Sequence, residues 1–107
     1  MRPLKEVCPD PKKLLELDLE KLGKHVLHCL HQAKEPGQIK RADIAKTMAS
    51  GYHGDFQHEV AHAVQEAVGW LFAQCLLGAS PYDEDLIFLT RAGQDVASKY
   101  EHPADIV

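Results

Sequence analysis

Residues His58-Glu59-Val60-Ala61-His62 spell H-E-x-x-H. In that arrangement two imidazoles one helical turn apart ligate zinc, and the glutamate between them acts as general base on the metal-bound water. Residues i and i+4 share a helix face, and Val60, Ala61, Ala63 and Val64 supply uncharged surroundings. A place near a helix N-terminus also favours the neutral imidazole that binds metal. A catalytic zinc needs a third protein ligand, however. The candidates downstream are Glu66 on the same helix, Asp83, Glu84 and Asp85 in a turn, and His102 near the end of the chain. None has the helical context of such a ligand, and the segments upstream read as helix rather than as a substrate-binding sheet edge. The motif is therefore expected to be a solvated helix face. His58 and His62 would form at most a weak surface chelate, no cofactor is expected, and a zinc hydrolase is the minor reading.

A second histidine set, His25, His28 and His31, steps by three around an earlier helix among Lys24, Gln32 and Lys34. Steps of three precess around a helix, so a solvated face is expected rather than a metal or pH-sensing site. The cysteines are Cys8, Cys29 and Cys75, widely spaced and without C-x-x-C. That argues against a disulfide framework and a cysteine zinc site, and Cys29 and Cys75 are read as small core residues.

The helix that carries the H-E-x-x-H motif is expected over residues 56–77, with Asp55 as its N-cap. Phe56, Val60, Val64, Ala67, Leu71 and Cys75 form its core stripe; His58, His62, Gln65 and Gly69 lie opposite, flanked by Glu59 and Glu66. Earlier in the chain, Asp10 caps a turn that begins with Pro11, and Asp18 caps an amphipathic helix. Leu19, Leu22, Val26, Cys29, Leu30 and Ala33 form its apolar stripe, and Pro36-Gly37 ends it. Ile39 reads as a very short strand, and 41–49 as a helix through Ala42, Ile44, Ala45 and Met48. After the long helix come the turn "GASPYDED", the strand "LIFLT", a short helix in "RAGQDVASKY" and the tail "EHPADIV". Trp70 and Phe72 are read as core, with a partner-facing role as the alternative, while Tyr52, Tyr82 and Phe56 fit either.

The chain has 107 residues, 45% hydrophobic and 26% charged, with a net charge of -4. That suits one globular domain, expected over 18–100 between an N-terminal extension (1–17) and a flexible tail (101–107). The negative net charge draws the protein neither to nucleic acid nor to anionic lipid. No apolar run approaches the roughly 20 residues that span a bilayer. The N-terminus lacks an apolar stretch of signal-peptide length, so a cytoplasmic location is expected.

The order of elements resembles a winged helix-turn-helix domain: mainly α with a small β-hairpin wing. "PGQIKRADIAKTMA" looks like the second-helix unit of such domains, and "AVGWLFAQCLLGASPYDEDLIFLTRAG" like their third helix running into the wing. The likeness spans residues 18–98 and extends to winged-helix segments of prokaryotic regulatory and abortive-infection defence proteins. The resemblance implies DNA binding, with the third helix in the major groove and the wing on the backbone. Phosphate contacts, however, require cations. Between Lys46 and Arg91 there is no Lys or Arg, whereas the same 44 residues hold Asp55, Glu59, Glu66, Asp83, Glu84 and Asp85. With no guanidinium to reach a guanine edge, Gln65 alone is a poor reader. The first expectation is therefore a non-catalytic module, an adaptor or regulatory domain. It would bind a protein with a basic surface through Glu59, His62, Glu66, Asp83, Glu84 and Asp85. The alternative is a DNA-binding regulator working as a homodimer, with contacts from Lys40, Arg41, Lys46 and Arg91.

Overall fold

A computed structural model describes residues 3–32 and 39–100. These residues form six helices, α1 (Leu4–Val7), α2 (Pro11–Glu16), α3 (Leu19–His31), α4 (Arg41–Ala49), α5 (Gly54–Ala73) and α6 (Arg91–Ser98), and a sheet of β1 (Ile39–Lys40), β2 (Leu77–Ala79) and β3 (Leu86–Leu89). The protein is mainly α with a small three-stranded antiparallel sheet. Ala33, Pro36, Gly37, His102 and the tail 101–107, all given roles above, lie outside the described residues.

Side chains start the helices where their chemistry predicts. Asp10 accepts from the Lys12 N–H (3.0 Å) with Pro11 at the first helical position, and Asp18 accepts from the Lys21 N–H (2.8 Å). The expected cap of α5 is corrected: His53 occupies that position, its Nδ1 accepting from the Asp55 N–H at 3.3 Å. Asp55 falls in the first turn, where its carboxylate still complements the helix dipole.

The other end of α5 also differs from expectation. The helix stops at Ala73 because Cys75 adopts φ 59, the left-handed region. The Leu76 N–H then reaches the Leu71 carbonyl (2.9 Å) and the Cys75 N–H the Phe72 carbonyl (3.0 Å), a Schellman motif. Cys75 is thereby turned outward and is exposed, not a core residue. Thr90 locks this corner. Its hydroxyl donates to the Cys75 carbonyl at 2.6 Å and accepts from the Gly93 N–H at 3.0 Å, capping α6 as well.

The freed chain runs straight into the sheet. β3 is central, pairing antiparallel with β1 (Ile39↔Ile87, Lys40↔Leu86) and with β2 (Leu77↔Leu89, Gly78↔Phe88, Ala79↔Ile87). Alternation along β3 buries Ile87 completely and leaves Phe88 39% exposed, its ring lying over Gly78.

The core is built from Leu22, Val26, Leu27, Cys29 and Leu30 of α3, Ile44 and Met48 of α4, and Val60, Val64, Val68 and Leu71 of α5. Leu19, counted with the apolar stripe of α3, is instead 41% exposed at its first turn. Residues of the N-terminal extension join the same core: Leu4 and Leu14 are fully buried. The Tyr52 hydroxyl pins that segment by donating to the Cys8 carbonyl at 2.6 Å.

Two of the three histidines on α3 are not on a solvated face. His25 Nδ1 and the Tyr100 hydroxyl share a hydrogen bond, and the His28 ring stacks on Tyr100 with centroids 4.3 Å apart. Only His31 of the three is exposed. The cause is tertiary: Tyr100, just beyond α6, folds back onto α3.

Candidate partner-binding surface

α5 positions the first half of the acidic surface. Its apolar stripe, centred on Val60, Val64, Ala67 and Leu71, packs inward against α3 and α4. The 100° step between residues then sends Asp55, His58, Glu59, His62, Gln65, Glu66 and Gly69 to the opposite side, and all seven are exposed. Glu59 and Glu66 stand two turns apart, about 10 Å along the axis at the usual helical rise. Neither forms an ion pair among the described residues. Among the described residues, the one ion pair on this stripe is the exposed contact of Asp55 with His53 at 3.5 Å.

The hairpin turn between β2 and β3 carries the second half. Asp83 shapes it: its side chain accepts from the Asp85 N–H at 3.0 Å, and its carbonyl accepts from the Leu86 N–H at 3.0 Å. Ser80 holds the near side, accepting from the Tyr82 N–H at 3.2 Å while its own N–H donates to the Leu86 carbonyl at 2.7 Å. Asp83, Glu84 and Asp85 are exposed at this turn, and Tyr82 is 96% exposed beside them. The six expected partner-binding residues thus form two exposed groups, three on α5 and three on the hairpin. Among the described residues, no hydrogen bond or ion pair joins one group to the other.

Lys40, Arg41, Lys46 and Arg91 are exposed but dispersed over β1, the two ends of α4 and the start of α6. Arg41 is committed to its own fold. Its N–H donates to the Asp85 carbonyl at 2.7 Å, and its guanidinium lies 4.4 Å from the centroid of the Phe72 ring. Phe72 and Trp70 are both partly buried against the core, Trp70 over Gly23. The pairing of Lys40 with Leu86 also sets Lys40 and Arg41 beside the acidic turn. Sequence reading missed that juxtaposition, because a two-residue strand carries no register signal.

His58 and His62 have ring centroids 4.4 Å apart on the exposed face. No group of three or more His, Cys, Asp or Glu among the described residues is placed to hold a metal ion. The chelate available there is the His58–His62 pair alone. None of the described helices is long and apolar enough to cross a membrane.

Comparison with protein-family models, with curated proteins and with solved structures gives no match for this chain.

Proposed function

We propose that this chain is a non-catalytic winged-helix module that docks a protein with a basic surface through the exposed face of α5 and the acidic hairpin. Two features support the winged-helix assignment: the succession α3–β1–α4–α5–β2–β3, and a sheet in which the last strand lies between the other two. In this reading α5 is the third helix and the β2–β3 hairpin is the wing. The observation that carries the docking role is the exposure of Glu59, Glu66, Asp83, Glu84 and Asp85 over a stretch of 44 residues without one Lys or Arg. Such a surface repels phosphate and attracts cations over a Debye length of about 8 Å at physiological salt. Its role is that of an adaptor or regulatory domain, which the resemblance to prokaryotic regulatory and defence segments also suggests.

The test pairs two fluorescent probes, a mixed-sequence DNA duplex and an oligolysine peptide, each titrated by anisotropy at low and at physiological salt. The docking role predicts binding of the peptide that weakens with salt and is lost in Glu59→Lys/Glu66→Lys/Asp83→Lys, with no binding of the duplex. Salt-sensitive duplex binding that Lys40→Glu/Arg41→Glu abolishes would replace this role with DNA recognition through the start of α4.

A further inference from the structure

A second surface, lined by lysines, lies between α3 and α6. Lys21, Lys24 and His25 line it from α3, and Val96, Lys99 and Tyr100 from α6 and its end. Leu17, just before α3, adds to an apolar floor with Val96, and the groove, open to solvent, has a volume of about 640 Å³. That lies within the roughly 300–1,000 Å³ of small-molecule sites, which combine an apolar lining with a few placed polar groups. We propose that this groove binds a small organic anion: a carboxylate or phosphate headgroup with an apolar chain, taken up as a dissolved molecule.

Three lysines line the groove, and among the described residues the carboxylates that meet them belong to their own helices. Lys21 forms no ion pair among the described residues; the one carboxylate near its backbone, Asp18, is engaged as the α3 cap. Lys24 meets Glu20 at 3.2 Å and Lys99 meets Asp95 at 3.1 Å. Both are same-helix pairs with side chains about half or more exposed, a class that holds its lysine loosely and yields to a better anion. The hydrogen-bonded His25 and Tyr100 add polar ring groups to the lining. An inorganic ion would leave Leu17 and Val96 uncovered, whereas an apolar chain would bury them. Charge and floor together therefore select an amphiphile over phosphate alone.

The site is independent of the acidic surface. Lys21 and Lys24 lie on the exposed side of α3, away from Leu22, Val26 and Leu30, with the partly buried His25 at its edge, while the acidic stripe of α5 is turned away from the face that packs on α3. Loss of one function therefore leaves the other readable.

The test is titration of the full chain with octanoate and octyl phosphate, both below their micellar concentrations, followed by calorimetry and by backbone amide chemical shifts. Saturable binding of both is expected, with shifts centred on residues 17–25 and 96–100. Inorganic phosphate should bind at least tenfold more weakly, and octyl glucoside, which has the chain without the charge, should not saturate. Lys21→Gln and Lys99→Gln should each weaken octanoate at least fivefold, with thermal melting unchanged because both side chains are exposed; Lys5→Gln, outside the groove, should have no effect. Equal affinity in wild type and in the Lys21→Gln/Lys99→Gln double variant would overturn the proposal. So would binding confined to phosphatidylserine vesicles with none to dissolved octanoate.

Discussion

The guanidinium of Arg41 lies over the Phe72 ring, 4.4 Å from its centroid, while the Arg41 N–H donates to the Asp85 carbonyl at 2.7 Å. One residue thereby fastens the start of α4 to the end of α5 and to the base of the acidic hairpin. Its charge serves the fold at the point where a DNA-binding reading would spend it on phosphate. Arg41→Ala removes the ring contact and keeps the backbone bond, so the expected loss is about 0.5–1 kcal/mol, the usual worth of an exposed cation–π pair. Urea denaturation measures it, and a double-mutant cycle with Phe72→Leu isolates the pair. Zero coupling in that cycle would mean that the stacked geometry contributes nothing.

Two glycines make opposite predictions. A Cβ added to Gly23 would lie 2.6 Å and 2.9 Å from Trp70 Cε3 and Cζ3, so α3 and α5 approach here only because Gly23 has no side chain. Gly23→Ala gains helix propensity of up to about 1 kcal/mol but displaces a packed indole. Overpacking of this kind costs roughly 1–3 kcal/mol, which wins. Gly69 lies on the exposed face of α5 with nothing within 4 Å of an added Cβ. There Ala should stabilise by about 0.5–1 kcal/mol, the backbone entropy term acting alone. Thermal melts of the two variants should shift in opposite directions. If both rise, the Trp70 contact is soft.

Tyr52 should give the protein an alkaline limit. Burial raises its pKa well above the ordinary phenol value, with smaller contributions from Cys8 and Cys29. Because the folded-state pKa exceeds the unfolded one, the favourable contribution is complete below about pH 10, the unperturbed tyrosine value, and is lost as pH rises beyond it. Tyr52→Phe should cost about 1 kcal/mol at neutral pH, since the Cys8 carbonyl loses the donor it has at 2.6 Å. The variant should then show a shallower fall in urea stability between pH 9 and pH 11 than wild type. Parallel slopes would mean that the phenol does not set the limit.

What the sequence made legible was local. Asp10-Pro11 and Asp18 announced helix starts through side chains that reach their own backbone, and the apolar stripe of α5 appeared at its true spacing from Val60 to Leu71. The exposure of Glu59 and Glu66 followed from the same periodicity, and that of Asp83, Glu84 and Asp85 from their place in a turn. What it hid was tertiary. The burial of Leu4 and Leu14 arises from packing of the first helices on α3, α4 and α5, in a segment that Tyr52 ties down through Cys8, 44 residues away. The partial burial of His25 and His28 depends on Tyr100, more than 70 residues on, and so does the lysine groove, in which Lys99 gave no sequence signal.

The end of α5 was hidden for a different reason: the left-handed position of its Schellman motif holds Cys75, where glycine ordinarily marks such a stop. With a side chain at φ 59 the residue is strained, and nothing buries its thiol in return. Cys75→Gly should therefore stabilise the fold, by about 1 kcal/mol if the usual cost of a non-glycine residue in this region applies. Cys75→Ala keeps the Cβ and should change stability by only a few tenths of that amount, since the exposed sulfur adds little packing. The contrast matters because Thr90 binds the Cys75 carbonyl at 2.6 Å and holds the corner whatever the side chain. Equal melting temperatures for the glycine and alanine variants would show that this hydrogen bond, rather than the side chain, sets the conformation at no cost.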